Sequence, residues 1–284
     1  MKILVAIKRV IDPYVAIRVK DDHSGIDDHN VKMTINPFCA IALEQAVQMK
    51  EQGLAQEIIV VSIGDDSCNE SLRTALALGG DRAIHINTAD FLSDNAATSS
   101  VSLFTPLKIA NVLAVLAQQQ DCDLVLMGKQ SIDGDNNQTP QMLAGLLDWP
   151  QAAFASEIKP DLNRDNPALL VTREVDVGLE TLSVNLPCVV SCDLRLNTPR
   201  FASLPNIMKA KSKPLICFSL ATFIDDNISQ YPNLASLAKP SSQTIIKYSK
   251  PQQRSAGVMV ESIDELIDKL TQEAKVIQWT VLKY

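Results

Sequence analysis

Four short runs of apolar, mostly β-branched residues, each followed by a stretch with helical periodicity, constrain this chain more than any other feature. Ile3 to Ile7 precedes a helical pattern from about Ala40 to Glu51, and Ile58 to Ile63 precedes Ser71 to Leu78. Ala83 to Ile86 precedes Pro106 to Gln119, and Leu124 to Met127 precedes Gln141 to Leu147. This alternation predicts a parallel sheet with helices on both faces. In the first helix Ala42, Leu43, Ala46, Val47 and Met49 share a stripe, Glu44, Gln48 and Glu51 lie off it, and Gly53 supplies the stop.

The pattern changes after Trp149-Pro150. Leu169 to Glu174 and Leu179 to Leu186 flank Asp176-Val177-Gly178, which predicts an added hairpin with glycine free to take a positive φ. Cys188 to Cys192 reads as one more buried strand. From Leu194 the chain is punctuated by prolines and reads as loop until an amphipathic helix from about Ile263 to Ala274, with Ser262 as its N-cap. The simplest division is an α/β domain over residues 1–193 and an extended C-terminal arm over 194–284.

The chain has 284 residues, 46% of them hydrophobic, enough for a substantial core. A net charge of −7 and a pI near 5.0 argue against nucleic acid as the main partner. No run approaches the roughly 18 apolar residues that suggest a bilayer span, so no membrane insertion is expected. The start MKILVAIKRV has too short an apolar stretch before Lys8 and Arg9 for a secretory signal, and the chain is expected to stay on the side of the membrane where it is made. The six cysteines are scattered without a CxxC pair, as in proteins of reducing compartments. Cys188 and Cys192 read as core packing. His23 and His29 sit in DDHSGIDDH, which reads as a solvated turn more than a metal site, and His85 belongs to an apolar run. No Ser-His-Asp or Cys-His pattern stands out, so a binding protein is expected more than an enzyme.

In a parallel sheet, ligands sit beyond the carboxyl ends of the strands, where strand order reverses. Three loops qualify: the one after Ile7, the one at Gly64, and GKQSIDGDNNQT from Gly128 to Thr139. The first lacks the G-x-G-x-x-G dinucleotide fingerprint, and Gly128-Lys129 lacks the remainder of a P-loop, which argues against ATP hydrolysis by that route. Gly128, Ser131, Asn136, Asn137, Gln138 and Thr139 supply groups that hydrogen-bond an anion or a ribose, with a helix start behind them that favours phosphate. Asp133 and Asp135 oppose an anion and must point away from it. A polar loop that only caps a helix fits the same residues.

The second informative stretch is PRFASLPNIMKAKSKP, Pro199 to Pro214. It is basic through Arg200, Lys209, Lys211 and Lys213, has no acidic residue, and carries Leu204, Ile207 and Met208 among its prolines. Prolines keep it from forming a regular strand, so apolar side chains remain at the surface as anchors within a charged rim, a common way to grip a partner. A loop folded back on its own domain is the alternative.

These stretches resemble the β subunit of the electron transfer flavoprotein. The resemblance is carried by VAIKRVID (Val5 to Asp12), NPFC (Asn36 to Cys39), RTALALGGDRAIHI (Arg73 to Ile86), GKQSIDGDNNQT, LDWPQAAFAS (Leu147 to Ser156), REVDVGLET (Arg173 to Thr181) and DLRLNTPRFASLPNIMKAK (Asp193 to Lys211). It implies a fold like that of the adenine nucleotide alpha hydrolases and a heterodimer with an α subunit that holds most of the FAD. The β subunit would bury one AMP and help enclose the flavin. By this resemblance the AMP role falls on Ala6, on Asn36, Pro37, Phe38 and Cys39, and on Ile63. It also falls on Gly128, Lys129, Gln130, Ser131, Ile132, Asp133, Gly134, Asp135, Asn136, Asn137, Gln138 and Thr139. Phe38 would also lie towards the flavin side, and Glu174 matches a position that influences how the flavin domain moves.

The arm would dock acyl-CoA dehydrogenases with Leu204 as anchor, joined by Ile207, Met208, Arg200 and Lys209. Electrons would pass on to the electron transfer flavoprotein-quinone oxidoreductase. The implied role is an electron carrier, not an enzyme, in fatty acid β-oxidation, in a bacterial cytoplasm or, in a eukaryote, the mitochondrial matrix. Pro13 and Tyr14 stand where the family often has an aromatic directly after VID, Val177 replaces a common glycine, and Ser212 interrupts the basic run. Thr88 to Phe104 reads as a surface insertion. Two alternatives remain: a flavin-bifurcating β subunit with FAD in place of AMP, which Gly134 resembles, and a free-standing adenine-nucleotide-binding protein.

Overall fold

The computed structural model describes residues 1–94, 105–161, 166–239, 245–252 and 256–277. The chain opens with β1 (Lys2–Ala6), β2 (Arg9–Ile11), β3 (Met33–Ile35) and α1 (Pro37–Glu51). It continues through β4 (Glu57–Gly64), α2 (Cys68–Leu78), β5 (Arg82–Asn87), α3 (Ala89–Asp94), α4 (Pro106–Gln119), β6 (Leu124–Gly128) and α5 (Thr139–Leu147). Then come β7 (Gln151–Pro160), β8 (Ala168–Val175), β9 (Gly178–Asn185), β10 (Cys188–Cys192), α6 (Leu204–Ala210), β11 (Leu215–Ser219) and α7 (Leu220–Asn227), followed by a 3-10 segment, Pro232–Ala238.

Nine strands form one sheet in the order β11-β5-β4-β1-β6-β10-β7-β8-β9. All neighbours are parallel except β7–β8 and β8–β9, which add the expected hairpin. From β1 the chain first builds outward through β4 and β5, then returns to lay β6 on the other side of β1. The reversal opens a crevice at the carboxyl ends of β1 and β6.

The central strands read as unbroken apolar runs because both of their faces are covered. Ile3 and Val5 join a core cluster with Leu43, Ala46 and Leu72, whereas Leu4 between them faces Leu113, Leu116 and Leu143. Ile58 and Val60 likewise part from Ile59 and Val61, the period of two expected of a pleated strand. Gly53 takes φ 77° just beyond α1, and Gly178 takes φ 137° at the turn into β9. All five cysteines other than Cys217 are buried, Cys188 and Cys192 within β10 among them.

The chain after Leu194 is more regular than its prolines imply. Pro205 falls in the first turn of α6, where a missing N–H costs no hydrogen bond, so it starts a helix there. β11 pairs in register with β5, from Leu215 beside Ala83 to Ser219 beside Asn87. One compact unit is therefore Met1–Ile17 with Asp27–Ile246. The boundary expected at residue 193 moves because residues 215–219 complete the sheet edge.

The other unit joins Arg18–Ile26 to the described residues from Lys247 onward. DDHSGIDDH begins there as a tight turn: Val19 bridges Ile26, and the Lys20 N–H donates to the Gly25 carbonyl at 3.0 Å. α8 (Ile263–Asp268) is capped as expected, with Ser262 Oγ accepting from the Glu265 N–H at 3.1 Å, and continues as a π-helical turn, Lys269–Glu273. Among the described residues, no helix is long and apolar enough to cross a membrane. The expected insertion falls largely on residues 95–104, outside the described residues.

Candidate functional site

The crevice is built where β1, β4 and β6 end side by side. Ala6 closes β1, Ile63 lies at the end of β4, and Gly128 ends β6. Asn36 is fully buried, and its amide ties the long loop to α1. Nδ2 donates to the Gln130 carbonyl at 2.9 Å, and Oδ1 accepts from the Ile132 N–H at 3.2 Å. Nδ2 also lies 3.3 Å from Cys39 Sγ. A Cβ on Gly128 would stand 2.7 Å from Phe38 Cβ and 2.9 Å from the Phe38 carbonyl carbon, so only glycine lets β6 approach α1 this closely.

Each charged side chain of the loop is engaged, mostly by residues outside it. Lys8 Nζ reaches Asp133 Oδ1 at 2.8 Å and Ser131 Oγ at 3.1 Å. Burial pushes the Asp133 carboxyl up, but its bonds to Lys8 and Ser131 outweigh this and hold it below the usual carboxylate range. Asp135 accepts from the Gln130 amide. The two acids that oppose an anion are thus each engaged. Asp135 and Asn137 both take φ 50°, and the Asp135 N–H closes a turn on the Ser131 carbonyl at 2.8 Å. Gln141 Nε2 lies 3.4 Å from Asn137 Oδ1.

Neither helix that opens on this loop has a side-chain cap: Asn36 at α1 and Gln138 at α5 leave the first-turn N–H groups unbonded by their own side chains. Pro37 and Pro140 occupy the first turns, so the remaining donors there are few and fixed in direction. A Cβ on Gly134 would meet only ordinary contacts, at 3.4 and 3.5 Å, so this glycine answers no steric demand.

Lys129 does not point its charge freely at the loop. Its ammonium donates to Asp193 Oδ2 at 2.7 Å and lies 5.5 Å from the Phe38 ring centre and 5.7 Å from that of Phe154. Sequence reading missed Lys8, Asp193 and Phe154. Lys8 lies two residues past β1, and Asp193 directly follows β10, whose Cys192 pairs beside Gly128. Strand alignment was the available signal for Asp193. Phe154 sits at φ 63° beside a register shift in β7, with its N–H on Ser191 Oγ at 3.0 Å, and nothing in its local sequence announces that conformation.

Arg195 bridges Asp193 and Glu174, so a chain of ion pairs runs from Lys129 to the hairpin. These residues line a polar cleft of about 410 Å³. Among the described residues, no group of three or more His, Cys, Asp or Glu side chains is arranged to hold a metal ion.

In the arm, Leu204, Ile207 and Met208 are exposed on α6, and Phe201 ahead of it is 99% exposed. Arg200, expected among the partner-facing residues, is engaged within the chain. Its guanidinium donates to Glu44 from Nε at 2.8 Å and from Nη2 at 2.9 Å, and to Glu51 from Nη1 at 2.6 Å. This cover explains why Glu44, predicted off the apolar stripe, is buried. Lys213 is likewise consumed by backbone carbonyls, leaving Lys209 and Lys211 as the exposed cations of the stretch.

Fold and site together define an α/β protein with a mostly parallel sheet whose loops gather at a single topological switch. A family model for the electron transfer flavoprotein domain matches residues 24–222. The electron transfer flavoprotein β subunit of Arabidopsis thaliana, a mitochondrial protein by name, is 50% identical over 277 residues, covering 98% of this chain and all of the relative. The human β subunit is 45% identical over 276 residues, covering 97% of this chain and 99% of the relative, and that of Dictyostelium discoideum is 46% identical over 274, covering 96% and 98%. The chain belongs to the electron transfer flavoprotein family, among its β subunits, which are electron carriers and not enzymes.

Proposed function

We propose that this β subunit holds one AMP at the crevice between β1 and β6 and pairs with an α subunit carrying FAD. The observation that carries the AMP reading is the construction of the long loop. Asn36 and Gly128 clamp it to the start of α1, Lys8 and Gln130 engage its two carboxylates, and two helices without side-chain caps open onto it. A phosphate there meets backbone donors and helix dipoles, with Asp133 paired to Lys8 and Asp135 turned onto the Gln130 amide. Gly128, Ser131, Asn136, Asn137, Gln138 and Thr139 supply polar contacts, and Ala6, Pro37, Phe38, Cys39, Ile63 and Ile132 supply walls.

The exposed apolar face of α6 supports docking of acyl-CoA dehydrogenases, with Leu204 as anchor, Ile207 and Met208 beside it, and Lys209 at the rim. Arg200 acts there indirectly, by holding the segment to α1. FAD in the assembled pair supplies the redox chemistry. The residues of this chain wall the flavin, with Phe38 and the Glu174 cleft on that side, and present the grip through which electrons enter from dehydrogenases. Electrons leave to the quinone oxidoreductase. The compartment is the bacterial cytoplasm, or the mitochondrial matrix if the chain is eukaryotic. The test is reconstitution: with its α subunit the chain yields a flavoprotein that a substrate-reduced acyl-CoA dehydrogenase bleaches. A flavoprotein that assembles but takes no electrons from such a dehydrogenase contradicts the docking role.

A further inference from the structure

The helix α6 lies against α2 but buries little of itself there: Ala210 is the one buried residue among its seven. A helix so short does not persist alone in water, where even about 12–15 residues are marginal. With so little side-chain burial against α2, the hydrogen bonds at its ends carry much of its order. Arg73 on α2 donates Nη1 to the carbonyl of Ala210, the last residue of α6, at 2.9 Å and to that of Lys213 beyond it at 2.8 Å. Lys213 Nζ donates in return to the carbonyls of Leu76 at 2.9 Å and Gly80 at 2.6 Å, at the end of α2. One carbonyl in the last turn of each helix, Ala210 of α6 and Leu76 of α2, is thus bonded by a cation from, or just beyond, the other helix. At the opposite end Ser203 Oγ accepts from the Asn206 N–H at 3.4 Å, and the Arg200–Glu44–Glu51 cluster fixes the approach.

We propose that Arg73 is a positioning residue for partner docking. With Lys213 it forms a reciprocal clasp that holds α6 in place, with Phe201, Leu204 and Met208 outward, before any partner arrives. The proposal rests on the reading of α6 as the docking element. Pre-ordering removes from the binding step the cost of fixing a short helix and its side chains. It also sets what the partner must offer. Lys209 and Lys211 are exposed beside the apolar anchors, and residues 199–214 contain no acid, so the complementary surface is an apolar pocket bordered by carboxylates.

The test uses the αβ heterodimer as wild type, Arg73→Met, Arg73→Lys and Leu204→Ala. Two quantities are read: hydrogen–deuterium exchange of the amides from 204 to 211, and KM and kcat with a reduced acyl-CoA dehydrogenase. Arg73→Met is expected to speed exchange in that segment alone and to raise KM about tenfold with kcat within about twofold, and Arg73→Lys to restore part of the KM. Unchanged exchange or unchanged KM in Arg73→Met, with KM raised in Leu204→Ala, would overturn the clasp. If Leu204→Ala also leaves KM unchanged while Arg73→Met speeds exchange, the docking reading fails and the clasp survives only as architecture. Should Arg73→Met fail to assemble, Arg200→Leu applies the same two readings at the other end, where faster exchange with a higher KM supports the proposal and no change in either overturns it.

Discussion

Asn36 and Gln130 are separated by 94 residues in sequence, and the side-chain amide of the first donates to the backbone carbonyl of the second at 2.9 Å. Through this bond, and the one from the Ile132 N–H to Asn36 Oδ1, the start of α1 determines where the crevice loop runs. NPFC thus has a scaffold duty before any ligand is considered: the Asn36 side-chain amide is spent within the protein.

Asn36→Ala leaves the Gln130 carbonyl and the Ile132 N–H without their partner, at a cost of about 1–3 kcal/mol. Urea unfolding is expected to show that loss at unchanged m-value, and proteolysis to cut first between 130 and 138. An unfolding free energy within a few tenths of a kcal/mol of wild type would mean that the loop holds its course without Asn36.

Gly128→Ala places a methyl against the backbone of Phe38, which cannot move aside as a side-chain tip can. The expected outcome is a destabilisation of about 1–3 kcal/mol with weakened AMP retention. Gly134→Ala, whose new methyl meets only ordinary contacts, serves as the control and is expected to leave stability within about 0.5 kcal/mol of wild type.

Arg200→Leu probes the staple between the arm and α1. Burial raises the Glu44 carboxyl, but bonds from Arg200 and Gln48 outweigh that and hold it below its ordinary value of 4.5. A depressed folded value means the pair stabilises fully above that pH and is lost as pH falls through the folded value. Without Arg200 the buried Glu44 is raised instead, and favours the fold only when protonated. The variant is therefore expected to lose about 1–3 kcal/mol at pH 7, a figure discounted for the partial exposure of Arg200, with the gap narrowing towards pH 4. Thermal melts at both pH values check this, and a gap that widens on acidification would refute the assigned role.

Much of the core was legible because it obeys simple periods. Strands buried on both faces announce themselves as apolar runs, and β1, β4, β6 and β10 fall within a residue of their expected bounds. The arm was less legible, because Pro205 was read as a breaker when its position makes it a starter. β11 was hidden because Ile216 and Phe218 on a sheet edge stay partly exposed, so the run resembles loop. β7 was missed for a different reason: its register shifts at Phe154, and a bulge breaks the alternation that marks a strand. In the site, local residue types suggested the anion-binding character of the 128–139 loop. The partners that tune it, Lys8 and Asp193, lie just beyond the ends of β1 and β10 and are brought near only by the sheet order.

Leu204→Ala removes the most exposed apolar side chain of α6. Electron acceptance from acyl-CoA dehydrogenases is expected to fall about tenfold or more in kcat/KM, as for a central anchor, while flavin content and melting temperature stay at wild type. Unchanged kinetics would remove the anchor role.

The most direct measurement is mass spectrometry of the small molecules released on denaturing the purified chain, alone and after co-expression with its α subunit. One AMP per β chain, with FAD found only in the pair, is the predicted result. FAD released from the β chain itself would contradict the AMP assignment and mark a bifurcating subunit, and ATP turned over to ADP would show that the loop at Gly128 serves chemistry in place of structure.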